Sequence, residues 1–205
     1  MLTEKQIQRY ADVLIWGLQT ARAGKVKKGD VVMIRYELAA IHLAEALFAK
    51  LLDLDLHPMQ RLLPTPAMET HFYSRSNTRQ LTFIPPGEEA LYRRLNGSIA
   101  LLGPQSLTHL SGVDPSRIAK PAKARKFLRD ILDQREEEGH FSWTLAVYPT
   151  EELAAHAGIS GEEAGRMGEV LSELAGYHQV ICITHLPLVA ARADHHLRLS
   201  RRDDE

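Results

Sequence analysis

The chain is short of every feature that would set it apart from ordinary globular proteins. One cysteine, Cys182, among 205 residues excludes an intramolecular disulfide framework and suits a reducing compartment. No run reaches the roughly 20 apolar residues a bilayer span needs. The opening Met1-Leu2-Thr3-Glu4-Lys5 has no basic region leading into an apolar one, so a cytoplasmic location without a membrane is expected. Neither sign of charge is in excess: 25 Lys and Arg face 26 Asp and Glu, and a net charge of −1 gives no global field to steer nucleic acid. Any phosphate binding must therefore be local.

Motifs that announce a complete catalytic unit are missing as well. There is no G-x-x-x-x-G-K-[ST], no G-x-G-x-x-G after a strand, no H-E-x-x-H and no G-x-S-x-G. These absences exclude a phosphate cradle, a dinucleotide turn, the simplest zinc site and a nucleophile elbow. What is present is a composition of 44% hydrophobic and 25% charged residues, which with 13 Gly and 10 Pro predicts a packed soluble domain.

Periodicity then orders the chain. Thr3 and Gln6 form a capping box, and Tyr10, Val13, Leu14, Gly17, Leu18 and Ala21 follow at helical spacing, a helix ended by the lysine-rich stretch from Gly24 to Gly29. Val31-Val32-Met33-Ile34 reads as a buried strand, Leu38 to Leu54 as a helix on a sheet, and His57 to Leu63 as a second strand. The Pro-, Ser-, Thr- and Asn-rich stretch from Pro64 to Pro86 reads as irregular apart from a turn of helix around Met68 to Tyr73. A short helix over Glu88 to Leu95 and a strand over Ser98 to Leu102 come next.

Asp114-Pro115 starts one long helix to about Gly139 with Ala124, Phe127, Leu128, Ile131 and Leu132 inward, and Trp143 to Val147 is a strand. After Glu151 to Ala157, a short helix, Ser160-Gly161-Glu162-Glu163 caps another whose stripe is Ala164, Met167, Leu171, Leu174 and Ala175. Val180 to Ile183 is a buried strand, Leu188 to Ala193 a short helix and His196 to Ser200 an edge strand. Alternation of this kind predicts an α/β fold: a mostly parallel sheet with helices on both faces, extended by a small α-β-α-β segment.

Few residues stand out chemically. Thr184-His185 directly follows an apolar strand, and a histidine at the carboxyl end of a parallel strand can face the crevice where α/β proteins bind ligands. It can equally be a structural histidine with a satisfied ring. His195 and His196 point to opposite faces of a strand and cannot both join one metal site.

Two stretches carry family resemblances. Tyr10-Ala11-Asp12-Val13-Leu14, Val26 to Ile34, Gly112 to Lys120 and Trp143 to Thr150 resemble, in that order, the amino-terminal domain of the aminopeptidase T and S family of thermophilic metallo-aminopeptidases. The resemblance implies an α/β domain over residues 1–157 that shapes the substrate cleft and a homodimer. It places the two-metal site in a second domain, so no cofactor is expected in this chain and a catalytic domain would have to act in trans.

From Gly158 to Ser200 the chain instead resembles the carboxyl end of the DNA-repair ATPase RecN, through Gly158-Ile159-Ser160-Gly161, Gln179 to Pro187 and Ala193-Asp194-His195-His196. That resemblance implies a second unit over residues 158–205, puts His185 at the place of a γ-phosphate-sensing histidine, and puts Gly158, Ser160, Gly161 and Thr184 near the nucleotide. Where RecN carries its paired magnesium-site carboxylates, this chain has Leu153-Ala154, with His156 in place of the following aspartate. The segment is thus expected to be the remnant of an ATP-binding site. The whole reads as an incomplete aminopeptidase-type domain fused to a RecN-like end, without stand-alone catalysis; the alternative is a module that binds nucleotide or a DNA-repair partner.

Overall fold

A computed structural model describes residues 2–156. Helix α1 (Glu4–Ala21) begins at the expected capping box: Thr3 Oγ1 accepts from the Gln6 N–H, and the Gln6 side chain accepts from the Thr3 N–H at 2.8 Å. Strand β1 (Val31–Tyr36), α2 (Ile41–Asp53), β2 (His57–Leu62), β3 (Gly97–Leu102) and β4 (Ser142–Val147) fall where hydrophobic periodicity puts them, with a single 3-10 turn at Leu38–Ala40 leading into α2. The four strands among the described residues are parallel, in the order β2-β1-β3-β4.

The strand pleat sorts side chains onto two faces. Val32 and Ile34 of β1, Ile99 and Leu101 of β3 and Ala146 of β4 meet α1 and α2 through Leu14, Leu18, Leu43, Leu47 and Leu51 in the main core. Full burial of each such side chain contributes roughly 1.5–3 kcal/mol before the entropy of ordering is subtracted. On the opposite face Met33, Leu95 and Phe141 form a smaller core with Leu91, Tyr92 and Leu132. Leu91 and Tyr92 come from α5 (Glu88–Tyr92), and Leu132 from α7 (Lys126–Glu137).

Two stretches differ from expectation. Between Pro64 and Pro86 the chain forms α3 (Pro66–Arg75) and α4 (Thr78–Leu81). The Thr and Asn that read as loop formers are N-caps: Thr65 Oγ1 accepts from the Met68 N–H with Pro66 in the first turn, and Asn77 makes a capping box with Gln80.

The long helix expected from Asp114 is two, α6 (Pro115–Ala124) and α7, with Arg125 between them at φ −95°, ψ 4°. Pro121 removes an interior N–H, and the two halves have different partners. The Arg117 guanidinium on α6 donates to the Tyr73 and Ser76 carbonyls of α3, whereas α7 packs on α5. Phe127, expected inward, is exposed in consequence. The last described element is α8 (Glu151–His156), and no described helix is long and apolar enough to cross a membrane.

Candidate functional site at the carboxyl end of the sheet

From β1 the chain moves to β2 on one side, then returns to β3 and β4 on the other, so the strand order reverses between β1 and β3. Ligands of open parallel sheets bind at the carboxyl ends of strands at such a reversal. Here Glu37 leaves β1 and Gly103 leaves β3, joined by the Glu37 N–H donating to the Leu101 carbonyl at 3.1 Å. Glu69 arrives on α3, and His109 on the connection from β3 to α6.

The electrostatics of this end are acidic. Partial burial lifts the Glu37 carboxyl above its ordinary range; the Gly103 backbone N–H opposes that, Glu69 adds to it and His109 offsets part of it. Burial first, and then Glu69, also raise the Tyr73 hydroxyl, against the opposing charge of Arg125. His109 Nε2 lies 2.7 Å from Glu69 Oε2, and its Nδ1 lies 3.1 Å from the Ser106 carbonyl. A carbonyl only accepts, so Nδ1 is the donor in its contact with Ser106. Thr70 Oγ1 donates to the Pro66 carbonyl at 2.8 Å and contacts the His109 carbonyl at 3.4 Å, fixing the loop on α3.

Sequence reasoning missed this cluster, because positions 37, 69 and 109 share no local motif. The signal available was the rule applied to His185, that residues just past a buried parallel strand face the crevice; applied to β1 it selects Glu37. His185, Thr184, Gly158, Ser160 and Gly161 lie outside the described residues, as does the stretch from Val180 to Ile183 that was expected to be a strand. Leu153-Ala154 is described and sits in α8, with Ala154 buried.

Comparison with known proteins places this arrangement. A family model described as thermophilic metalloprotease (M29) matches residues 3–172, well over half of the chain. The chain belongs to this family. Among solved structures, the M29-type fold seen here is similar to wild-type AmpT from Thermus thermophilus, with a TM-score of 0.56 and 14% identity over 84% of this chain. At that identity the likeness is one of fold. The chain spans 49% of that protein.

A different likeness covers a short stretch. The chain is 50% identical over 44 residues to the DNA repair protein RecN of Rickettsia conorii, and 53% identical over 45 residues to that of Mycobacterium tuberculosis strain H37Rv. Each match takes 22% of this chain and 8% of the RecN protein.

The metal that an M29 metalloprotease implies does not fit the described residues. No three of His, Cys, Asp and Glu gather among them as a metal site. Glu37, Glu69 and His109 are electrostatically coupled, but both imidazole nitrogens are already engaged.

Proposed function

We propose that this chain is the cleft-shaping and dimerising half of an M29-type metallo-aminopeptidase, working in a reducing cytoplasm. It has no stand-alone catalysis, and its metal-bearing half acts in trans. The observation that carries this reading is His109. A two-metal hydrolase needs several imidazole and carboxylate donors converging with free lone pairs. Where such groups meet at the carboxyl end of the described sheet, the ring donates from Nδ1 to Ser106 and is tied through Nε2 to Glu69. What that leaves at this end of the sheet is the half-buried Glu37, whose carboxylate suits the ammonium group of a peptide amino terminus.

The test is turnover of an aminoacyl chromogenic substrate by the purified chain with added Zn²⁺, Co²⁺ or Mn²⁺. No activity above background is expected, and chelator-sensitive turnover would refute the reading.

The RecN matches favour a second reading, in which residues 158–205 still recognise nucleotide or a repair partner. Against it, the residues that the RecN resemblance sets at the magnesium-site carboxylates are Leu153 and Ala154, neither of which can hold a metal, and Ala154 is buried in α8.

A further inference from the structure

The near-equality of positive and negative residues along the chain conceals a local imbalance. Residues 70–87 and 115–129 contain no Asp or Glu, and between them hold eight Lys and Arg residues. The chain as a whole has a net charge of −1.

The fold joins these two stretches. The Arg117 guanidinium on α6 donates to the Tyr73 and Ser76 carbonyls at the end of α3, and α4 packs on α6. Arg125, at the bend between α6 and α7, is close enough for its charge to act on the Tyr73 hydroxyl. The end of α3, α4, α6 and the start of α7 thus form one basic region, drawn from separate segments of the chain.

Most of this charge has no internal use. Arg117 is occupied by the α3 carbonyls, and Lys126 by Asp130 at 2.6 Å. Arg75, Arg79, Lys123, Arg125 and Arg129 are exposed and Lys120 is half-buried. None of these six forms an ion pair among the described residues. Helix dipoles account for two of them: Arg75 and Lys123 lie in the last turns of α3 and α6, where a cation is favoured. They do not account for Arg129, which closes the first turn of α7, where a cation is disfavoured. Like charges gathered in this way repel one another, and an external anion relieves that repulsion.

Two aromatic rings from the same segments face solvent. Phe83, two residues past α4, is 57% exposed, and Phe127, in the first turn of α7, is 38% exposed. Cations that follow phosphates and rings on which bases stack are the two components of single-strand recognition. A duplex keeps its bases stacked on one another and would use the cations alone. An acidic polypeptide would likewise leave the rings unused.

We propose that the surface made by the end of α3, α4, α6 and the start of α7 binds single-stranded nucleic acid. Arg75, Arg79, Lys123, Arg125 and Arg129 meet the phosphates, and Phe83 and Phe127 receive bases. This activity goes beyond the peptidase reading and does not rest on it.

Fluorescence anisotropy on the full chain with a labelled oligothymidylate of about 15 residues tests this. Binding should be saturable at about 50 mM salt and at least about tenfold weaker at about 200 mM, because several counterions are released. Arg79→Ala combined with Lys123→Ala should weaken it at least about tenfold. Phe127→Ala should weaken it at least about fivefold with the salt dependence unchanged, which is the mark of stacking. Lys25→Ala combined with Lys27→Ala, in the lysine-rich turn before β1, should leave binding as it is. All these side chains are exposed, so each variant should melt with the parent; Arg129→Glu supplies a further charge test if one does not.

Absence of saturable binding overturns the proposal. So does binding that survives the Arg79 and Lys123 changes, or that falls equally with those at Lys25 and Lys27. Phe127→Ala binding like the parent overturns it as well. Competition by polyglutamate of matched charge, or by a duplex of the same length, that equals competition by unlabelled oligothymidylate assigns the surface to a different polyanion and overturns it too.

Discussion

Arg22, the residue that ends α1, donates from Nη1 to Asp30 Oδ2 at 2.5 Å just before β1 begins. The two side chains are 4% and 11% exposed. Arg22 Nε donates to the Gly139 carbonyl at 3.1 Å, and Asp30 Oδ2 accepts the Lys27 N–H at 2.9 Å. One guanidinium thus joins the end of α1, the entry to β1 and the turn before β4. The lysine-rich turn from Gly24 to Gly29 is held by this buried pair.

Breaking the pair should be expensive. Asp30→Ala leaves the guanidinium buried without its counter-charge, and a loss of about 3–5 kcal/mol is expected. Arg22→Lys should lose much of the same, since an ammonium lacks the fork that reaches Asp30 and Gly139 together. Urea unfolding of both variants measures this; a change below about 1 kcal/mol in Asp30→Ala would show that the pair holds nothing.

The same turn sets a limit on size. A Cβ added at Gly24 would stand 2.5 Å from the Gly139 carbonyl oxygen, the one that accepts from Arg22. Gly24→Ala should therefore cost about 1–3 kcal/mol through displaced backbone. At Gly112 an added Cβ meets nothing within 4 Å, and Gly112→Ala should stay within about 0.5 kcal/mol of the parent. Thermal unfolding of the two side by side separates local crowding from a general effect of losing glycine.

Glu37 gives a pH signature. Burial raises its folded-state pKa above the ordinary 4.5, so the folded chain holds this proton more tightly than the unfolded chain does. Ionising it therefore works against folding. The penalty is absent below the unfolded value, grows as pH rises through the window up to the folded value, and is constant above it. Glu37→Gln keeps an acceptor for the Gly103 N–H and never ionises. Its Tm should exceed that of the parent near neutral pH, and the gap should close on acidification below about 4.5, the ordinary carboxyl value. A gap that stayed constant with pH would assign it to packing and not to charge.

Nucleotide binding should be absent. A histidine at position 185 can offer a terminal phosphate one hydrogen bond, about 1.5–3 kcal/mol when charge-assisted. Tight binding also takes a backbone cradle, a lysine and magnesium-site carboxylates. Calorimetric titration with ATP and Mg²⁺ should show no saturable binding in the micromolar range, with His185→Ala unchanged. A micromolar Kd weakened tenfold by His185→Ala would instead support the nucleotide-binding reading.

Much of this fold is written locally. Thr3 and Gln6 announce α1, the β-branched run at Val31 announces β1, and alternation of the two periods announces a parallel sheet, because capping and amphipathic burial depend on neighbours a few residues away. Even α4, and the parts of α3 beyond the expected turn at Met68 to Tyr73, carried local signals, in Thr65-Pro66 and in Asn77 with Gln80.

Other features belong to the tertiary structure alone. The bend at Arg125 follows from α6 being held by α3 while α7 packs on α5, which neither helix encodes in its own stripe. The reversal of strand order between β1 and β3 brings Glu37, Glu69 and His109 together from distant positions. The two faces of β4 differ because α1 packs against one, whereas on the other α7 reaches Trp143 only through Glu136 and leaves it half exposed. Burial and charge coupling depend on which surfaces meet, and a sequence read by its own spacing contains the surfaces but not their partners.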